Sequence, residues 1–174
     1  MLQPSRLGEQ VPEAVWWLTS HLRTFLSCRF LAKLLPTMER QASCHCGSLA
    51  LMCTGEPTKV SQCHCVECQR RTGSLFSVAA FYPKLNVTQV SGDVKVFIRA
   101  SASGFDVRFH FCPACGSNLW WEADRMPNLI GVAVGAFADQ AFPRPDQAVW
   151  VSEKHQWLEL PSDMPQHERN PIKR

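Results

Sequence analysis

Most cysteines of this chain occur in three close clusters. Thiols one or two residues apart rarely form disulfides with each other, whereas two or three thiolates within one turn converge readily on one Zn²⁺ at about 2.3 Å. The odd total of nine cysteines also argues against a fully paired disulfide framework. The chain is therefore predicted to bind zinc and to occupy a reducing compartment. The clusters are Cys44-His-Cys46, Cys63-His-Cys65-x-x-Cys68 and Cys112-Pro-Ala-Cys115.

The clustered thiols divide into a set of four and a set of three, which predicts two zinc ions per chain. Pairing the two smaller clusters makes a closed, structural site and ties together parts of the chain about 65 residues apart. The remaining cluster leaves one zinc position open, unless Cys53, His64 or another side chain closes it and makes both sites structural. The closed site would use Cys44, Cys46, Cys112 and Cys115, and the open site would use Cys63, Cys65 and Cys68.

An open zinc held by three thiolates predicts thiol transfer. Its formal charge of −1 makes it poor at activating water, but an incoming thiol can coordinate, lose its proton and attack a small carbonyl compound. Arg70 and Arg71 follow the cluster and either pair with carboxylates of a peptide-like thiol or remain solvated surface charges. The catalytic residues are then Cys63, Cys65 and Cys68.

Other residues near the clusters are expected to take no part in metal binding. His45 and His64 each lie between two cysteines, and neighbouring side chains in an extended chain point to opposite faces, so both rings should face away from the ions. Cys28 and Cys53 are expected to be ordinary buried thiols.

The segments around the cysteine clusters have the residue patterns of short strands joined by turns. An all-β (mainly β) fold is therefore predicted. Residues 105–111 alternate apolar and polar side chains, which predicts a strand with one buried face. Residues 87–98 are predicted to form a hairpin that turns at Ser91–Asp93, and residues 129–135 a covered strand. The twelve prolines argue against a long helix in the C-terminal third.

With 174 residues, the chain has room for one ordinary domain, predicted over residues 41–160. Residues 1–40 are expected to be an extension that the domain does not require, and residues 161–174 a loose polar tail. The apolar run from Val15 to Leu35 contains charges and is unsuited to spanning a membrane. Because the clustered thiols indicate a reducing compartment, a cytoplasmic protein is expected. The net charge of +3 is far from the basic stripe typical of nucleic-acid binders.

The motifs, taken in order, resemble the glutathione-dependent formaldehyde-activating family, which includes centromere protein V. The resemblance covers residues 41–160 and implies an Mss4-like fold of several small antiparallel sheets organised around zinc. It also implies a structural role for the four-cysteine site and a catalytic role for the three-cysteine site. The matching segments are Ser43–Gly47, Cys63–Gly73, Phe111–Ser117, Gly131–Gly135 and Trp157.

The resemblance further implies carbon–sulfur lyase activity, in which a glutathione-like thiol adds to a small aldehyde or the adduct breaks down. The alternative is a zinc-stabilised binding module in which both zinc ions are structural and the surface recognises a protein or nucleic acid, as in the centromere-associated branch. An open fourth position at the three-cysteine site separates the two hypotheses.

Overall fold

The computed structural model describes residues 38–171, and strands dominate this range. Its one α-helix is α1 (Val66–Thr72), and short 3₁₀ turns cover Lys84–Asn86, Val134–Phe137 and Val151–Glu153. The predicted mainly β fold class is confirmed. The strands are β1 (Glu39–Ser43), β2 (Ala50–Thr54), β3 (Lys59–Cys63), β4 (Ser77–Pro83), β5 (Val87–Ser91), β6 (Lys95–Ala100), β7 (Asp106–Phe111), β8 (Asn118–Ala123), β9 (Leu129–Ala133), β10 (Gln147–Val149) and β11 (Gln166–His167).

The strands form two sheets. One has three strands in the order β1-β2-β5, and the other has eight in the order β11-β10-β3-β4-β9-β8-β7-β6. Neighbouring strands run antiparallel except at β10, which pairs in parallel with both β3 and β11. The sheets share one hydrophobic core, because buried side chains from both belong to a single cluster.

The eight-stranded sheet uses its two faces differently, as the period of two along each strand allows. One face packs into the core, and the other lines a cavity. The core side chains of this sheet include Val60, Ala80, Tyr82, Trp120 and Val132. The cavity side chains include Ser61, Ala79, Phe81, Val107 and Trp121.

Two of the strand predictions match the structure. Residues 106–111 form β7, and residues 129–133 form β9. The apolar face of β7 differs from expectation, because Val107 is buried while Phe105 and Phe109 are only half-buried and line the cavity. Phe111 leaves that face, since the register between β7 and β8 shifts at this point.

The predicted hairpin over residues 87–98 is wrong. Both strands exist, but β5 pairs with β2 and β6 pairs with β7, so they lie in different sheets. Gly92, at φ +84°, carries the chain between the sheets, and a Cβ there would lie 2.1 Å from the Ser48 carbonyl oxygen. A turn signal shows that the chain changes direction, but the partner of each strand is set by long-range contacts.

The predicted loose tail is also wrong over residues 161–171. β11 extends the large sheet, Met164 is buried, and the Ser152 hydroxyl donates to the Glu168 carbonyl oxygen at 2.7 Å. Residues 1–37 of the predicted extension, and residues 172–174, lie outside the described residues. Over residues 38–171, no helix is long and apolar enough to cross a membrane.

Candidate metal centres

The first thiol cluster lies where two strand-connecting loops meet. The loop between β1 and β2 closes with a hydrogen bond from the Cys44 N–H to the Leu49 carbonyl oxygen (2.9 Å), and the loop between β7 and β8 closes in the same way from Cys112 to Ser117 (3.0 Å). Each loop also contains a glycine with positive φ, as such tight turns require. The sulfur atoms of Cys44, Cys46, Cys112 and Cys115 all lie within 4.8 Å of one another.

Hydrogen-bond donors favour the thiolate at two of these sulfurs. At Cys46, hydrogen-bond donors lower the pKa, but hydrogen bonds with the thiols of Cys44 and Cys115 outweigh them and raise it. The Ser117 hydroxyl and backbone N–H lower the pKa of Cys115 to about 5. Burial opposes ionisation of Cys44, but the Leu49 N–H, 3.2 Å from its sulfur, and neighbouring side chains bring its pKa to about 7. Thiolates are the form that binds metal, so this donor set fits a closed tetrahedral zinc site.

The four-thiol cluster joins the two sheets. Cys44 and Cys46 follow a strand of the three-stranded sheet, whereas Cys112 and Cys115 follow a strand of the eight-stranded sheet. The His45 N–H also donates to the Ser117 hydroxyl at 3.1 Å across the two loops. A metal here would cross-link the sheets, as expected for a structural role.

The second thiol cluster is local. Cys63 ends β3, Cys65 caps the N-terminus of α1 and accepts a hydrogen bond from the Cys68 N–H at 3.3 Å, and Gly73 ends the helix at φ +66°. The three sulfurs lie within 4.8 Å of one another, and no His, Asp, Glu or fourth Cys of residues 38–171 joins them. The arrangement matches three ligands of a four-coordinate zinc.

If the three thiols of this cluster ionise, their negative charges repel one another unless a cation compensates them. Hydrogen bonds with Cys65 and Cys68, together with burial, raise the pKa of Cys63. Hydrogen bonds from Cys63 and Cys65, assisted by the Arg71 guanidinium, lower the pKa of Cys68 to about 3. Three adjacent thiols cannot all ionise without compensation, and Zn²⁺ provides it, so the residues fit the metal.

His45, His64 and Cys53 belong to neither thiol cluster. The His64 ring is buried, accepts a hydrogen bond from the Gln62 amide at 3.2 Å and lies near Phe76. Burial lowers the pKa of His64, which favours the neutral ring. His45 is exposed, and burial raises the pKa of Cys53 to about 12. Cys28 lies outside the described residues.

The structure gives the two adjacent arginines different surroundings. Arg70 is exposed and pairs with Glu67 at 3.3 Å, as a surface charge does. Arg71 is half-buried and donates to Asn118 Oδ1 (2.5 Å) and Ser77 Oγ (2.7 Å). Its guanidinium also lies near Cys68, lines the adjoining cavity, and has one nitrogen, Nε, without a hydrogen-bond partner among the described residues.

A distant segment anchors the helix that carries Cys68. Glu153 Oε2 accepts a hydrogen bond from the Val66 N–H at 2.6 Å, although the two residues are 87 positions apart. The Gln69 amide donates to the carbonyl oxygens of His64 (2.7 Å) and Glu153 (3.1 Å). These contacts could not be predicted from the sequence, because no local pattern relates residues so far apart.

A cavity of about 190 Å³ adjoins the three-cysteine cluster. Phe81 and Trp121 meet edge to face across part of its wall, with ring centroids 5.1 Å apart. The cavity was not predicted from the sequence. The alternation of apolar and polar residues over residues 105–109 did indicate an apolar strand face, and this face forms one wall of the cavity. The three cluster cysteines are joined in its lining by the aromatic residues Phe81, Phe105, Phe109, Trp121 and Trp150.

The chain is similar to known proteins in sequence. A protein of Halomonas elongata, provisionally named a glutathione-dependent formaldehyde-activating enzyme, is 27% identical over 128 residues, which cover 70% of this chain and 81% of that protein. A crystal structure of a Rhodobacter sphaeroides protein matches with a TM-score of 0.45 and 22% identity, over 55% of this chain and 85% of that one. The model of the family described as "Glutathione-dependent formaldehyde-activating enzyme" matches residues 39–153, and the chain belongs to this family.

Proposed function

We propose that the protein is a zinc-dependent carbon–sulfur lyase that joins a small, glutathione-like thiol to a small aldehyde and also catalyses the reverse reaction. The observation that carries the proposal is the contrast between the two thiol clusters. One has four sulfurs and joins two sheets, whereas the other has three sulfurs and borders a cavity. The proposal assigns zinc ligation and catalysis to Cys63, Cys65 and Cys68, and structural zinc ligation to Cys44, Cys46, Cys112 and Cys115.

The proposed reaction needs an activated thiol next to a carbonyl group shielded from water. Zinc held by the three-cysteine cluster would supply a position at which an incoming thiol loses its proton. In the addition, a sulfur–carbon bond forms, the carbonyl π bond breaks, and the thiol proton is transferred to the carbonyl oxygen.

The residues around the cluster serve this chemistry in two ways. The positive charge of Arg71 offsets the negative charge on Cys68, and its bonds to Asn118 and Ser77 hold it there. The aromatic side chains of the cavity wall would shield the carbonyl carbon from part of the solvent, which would strengthen electrostatic interactions at the site. The same cluster needs reduced thiols, so we place the protein in the cytoplasm.

Metal substitution tests the division between the two clusters. We expect the cobalt-loaded protein to hold two metal ions per chain and its thiolate-to-metal absorption to change as glutathione is added. The Cys65→Ser variant should lose this response while the variant Cys53→Ala, altered at a buried thiol outside both clusters, retains it. Two metal ions with no response to any small thiol would contradict the proposal and favour a binding module with two structural zinc ions.

A rate measurement tests the reaction itself. Glutathione and formaldehyde combine without enzyme, so exchange between free and bound formaldehyde should be followed by two-dimensional NMR with and without the protein. We expect the protein to accelerate this exchange and Cys65→Ser to lower the catalysed rate at least about 100-fold, because loss of a group that only supports a metal ligand already costs about 10–100-fold. Equal exchange with the two proteins would refute lyase activity at this cluster.

A further inference from the structure

The cavity beside the three-cysteine cluster is lined by charged side chains as well as aromatic ones. Its lining includes four basic side chains and two carboxylates, and both carboxylates have protein partners. Glu153 accepts the hydrogen bond from the Val66 N–H, and Glu67 pairs with Arg70 at 3.3 Å and with Arg99 at 3.7 Å. The excess of positive charge exceeds the formal negative charge of a zinc held by three thiolates, so an anionic ligand would compensate it. The basic side chains are Lys59, Arg71, Arg99 and Arg125.

Arg99 lies beside the helix that carries the cluster. It is half-buried on the edge strand β6, and its guanidinium lies 3.7 Å from the carboxylate of Glu67, which precedes Cys68 in α1. This contact is longer than a hydrogen bond, and Glu67 also pairs with Arg70, so the charge of Arg99 is only partly neutralised. Within residues 38–171, Arg99 donates one hydrogen bond, to the Ala100 carbonyl oxygen at 3.0 Å. A guanidinium has several N–H donors, so Arg99 retains donors for a ligand.

Arg125 forms no ion pair with any carboxylate of residues 38–171. It lies in the turn between β8 and β9, with its guanidinium 5.6 Å from the centroid of the Phe105 ring, which also lines the cavity. The neighbouring carboxylate of Asp124 pairs with Arg108 instead. An aromatic ring attracts a guanidinium without occupying its N–H donors, so these donors can bind a carboxylate.

The strand register brings Arg99 and Arg125 to the same end of the cavity wall. Arg99 on β6 lies opposite Val107 on β7, and Val107 lies opposite Ala123 on β8. Val107 and Ala123 both line the cavity. Arg125 follows Ala123 by two residues, just beyond the end of β8. Two guanidinium groups at one end of a cavity suit a carboxylate, whose planar geometry matches that of their N–H donors.

We propose that Arg99 and Arg125 bind a carboxylate group of a substrate and thereby make the protein selective for carboxylate-bearing substrates. The inference rests on the proposed lyase function, because the carboxylate belongs to one of the two reactants of that site. Both arginines and all three cluster cysteines line the same cavity, so a molecule that reacts at the cluster can extend to the arginines. Either the thiol or the aldehyde carries the carboxylate, and substrate pairs distinguish the two.

Matched thiols test the assignment. Glutathione and its dimethyl ester present the same thiol with charged and with neutralised carboxyl groups. In the cobalt-loaded protein, we expect the change in thiolate-to-metal absorption to show at least about 10-fold tighter binding of glutathione than of the ester, because hydrogen bonds to charged groups are the stronger ones. Arg99→Gln and Arg125→Gln should each reduce this ratio, and Arg99→Lys should retain more of it than Arg99→Gln does. The control Arg144→Gln, at an exposed arginine outside the cavity lining, should leave the ratio unchanged.

Matched aldehydes identify the reactant that carries the carboxylate. Glyoxylate and its methyl ester differ in the same way as the two thiols, and kcat/KM for each is measured with glutathione. If the thiol carries the carboxylate, the two Gln variants lower the ratio for the thiols only. If the aldehyde carries it, they lower the ratio for the aldehydes only. Both results support the carboxylate site, whereas two ratios that stay the same in Arg99→Gln and Arg125→Gln overturn it.

A binding measurement separates this inference from the proposed function. S-Methylglutathione has no free thiol, and isothermal titration calorimetry measures its binding without any reaction. Glutathione–formaldehyde activity, together with equal binding of S-methylglutathione and of glyoxylate by the wild type and both Gln variants, would overturn the inference and leave the lyase proposal intact. Weaker binding of either probe by the Gln variants, in a protein without thiol–aldehyde activity, would support the carboxylate site and overturn the lyase proposal.

Discussion

At the scale of single residues, the cysteines differ because their surroundings differ. Donors from Ser117 lower the pKa of Cys115, whereas burial in the core raises that of Cys53. In the sequence, both residues are simply cysteines, and their different pKa values are not apparent. The partners of each sulfur decide whether it ionises and could bind metal, or stays neutral and packs as a small apolar group.

The raised pKa of Cys53 predicts a lack of reactivity. With a pKa of about 12, the thiol is almost entirely protonated at pH 7.5, and the thiolate is the nucleophile. Iodoacetamide should therefore leave Cys53 unmodified in the native, zinc-loaded protein and modify it after unfolding in urea. Peptide mapping by mass spectrometry measures both states, and equal modification in the two would contradict the burial argument.

Arg71 is expected to act by positioning and charge. Arg71→Met removes the cation beside Cys68, and loss of such a supporting group typically lowers metal affinity or activity about 10–100-fold. Chelator competition and the NMR exchange rate measure the two effects. The neighbouring change Arg70→Met removes an exposed charge and is the control. Similar losses in both variants would show that Arg71 has no special role.

At the scale of elements, the short helix α1 depends on a contact from outside its own sequence. Its 7 residues are too few for a stable isolated helix, and Glu153 caps its N-terminus through the Val66 N–H. The position of Cys68 therefore depends on the segment that follows β10.

Removal of this cap should destabilise the protein. We expect Glu153→Ala to lower the free energy of unfolding by about 0.5–2 kcal/mol, the usual range for loss of an N-terminal cap. Glu153→Gln keeps an oxygen acceptor and should lose less. Urea denaturation of the zinc-loaded variants measures the difference, and equal stability of Glu153→Ala and the wild type would rule out the capping role.

At the scale of the whole molecule, the two thiol clusters should respond differently to loss of a ligand. The four-thiol cluster links loops from separate sheets, whereas the three-thiol cluster lies within residues 63–68. Structural zinc can supply about 10 kcal/mol or more of apparent folding free energy. Loss of the metal at the four-thiol cluster should therefore destabilise the fold far more than loss of the metal at the three-thiol cluster.

Paired substitutions measure this difference. Cys112→Ser should lose the structural metal and much of the cooperative thermal transition, whereas Cys65→Ser should retain a folded β spectrum with one metal ion per chain. Circular dichroism and metal analysis on both variants provide the readout. The division of roles is wrong if Cys65→Ser unfolds the protein as completely as Cys112→Ser does.

The spacing of the thiols and the residue patterns of the most clearly predicted strands could be recognised in the sequence, because both are local. Cys65 and Cys68 lie within one helical turn, and the apolar patterns that indicate β7 and β9 each extend over only a few residues. The hairpin at residues 87–98 could not be predicted, because β5 and β6 each have a better partner elsewhere. The packing of residues 161–171 depends on parallel pairing with β10, which leaves no local pattern.

The local groups of thiols, the mainly β character and the family could all be predicted from the sequence. These properties follow from residue type and short spacing, which the covalent chain holds in any conformation. The proximity of Arg71 to Cys68 and the place of Phe109 in the cavity wall became evident only from the folded chain. Each of these depends on strand register and sheet packing, in which residues far apart in sequence become neighbours.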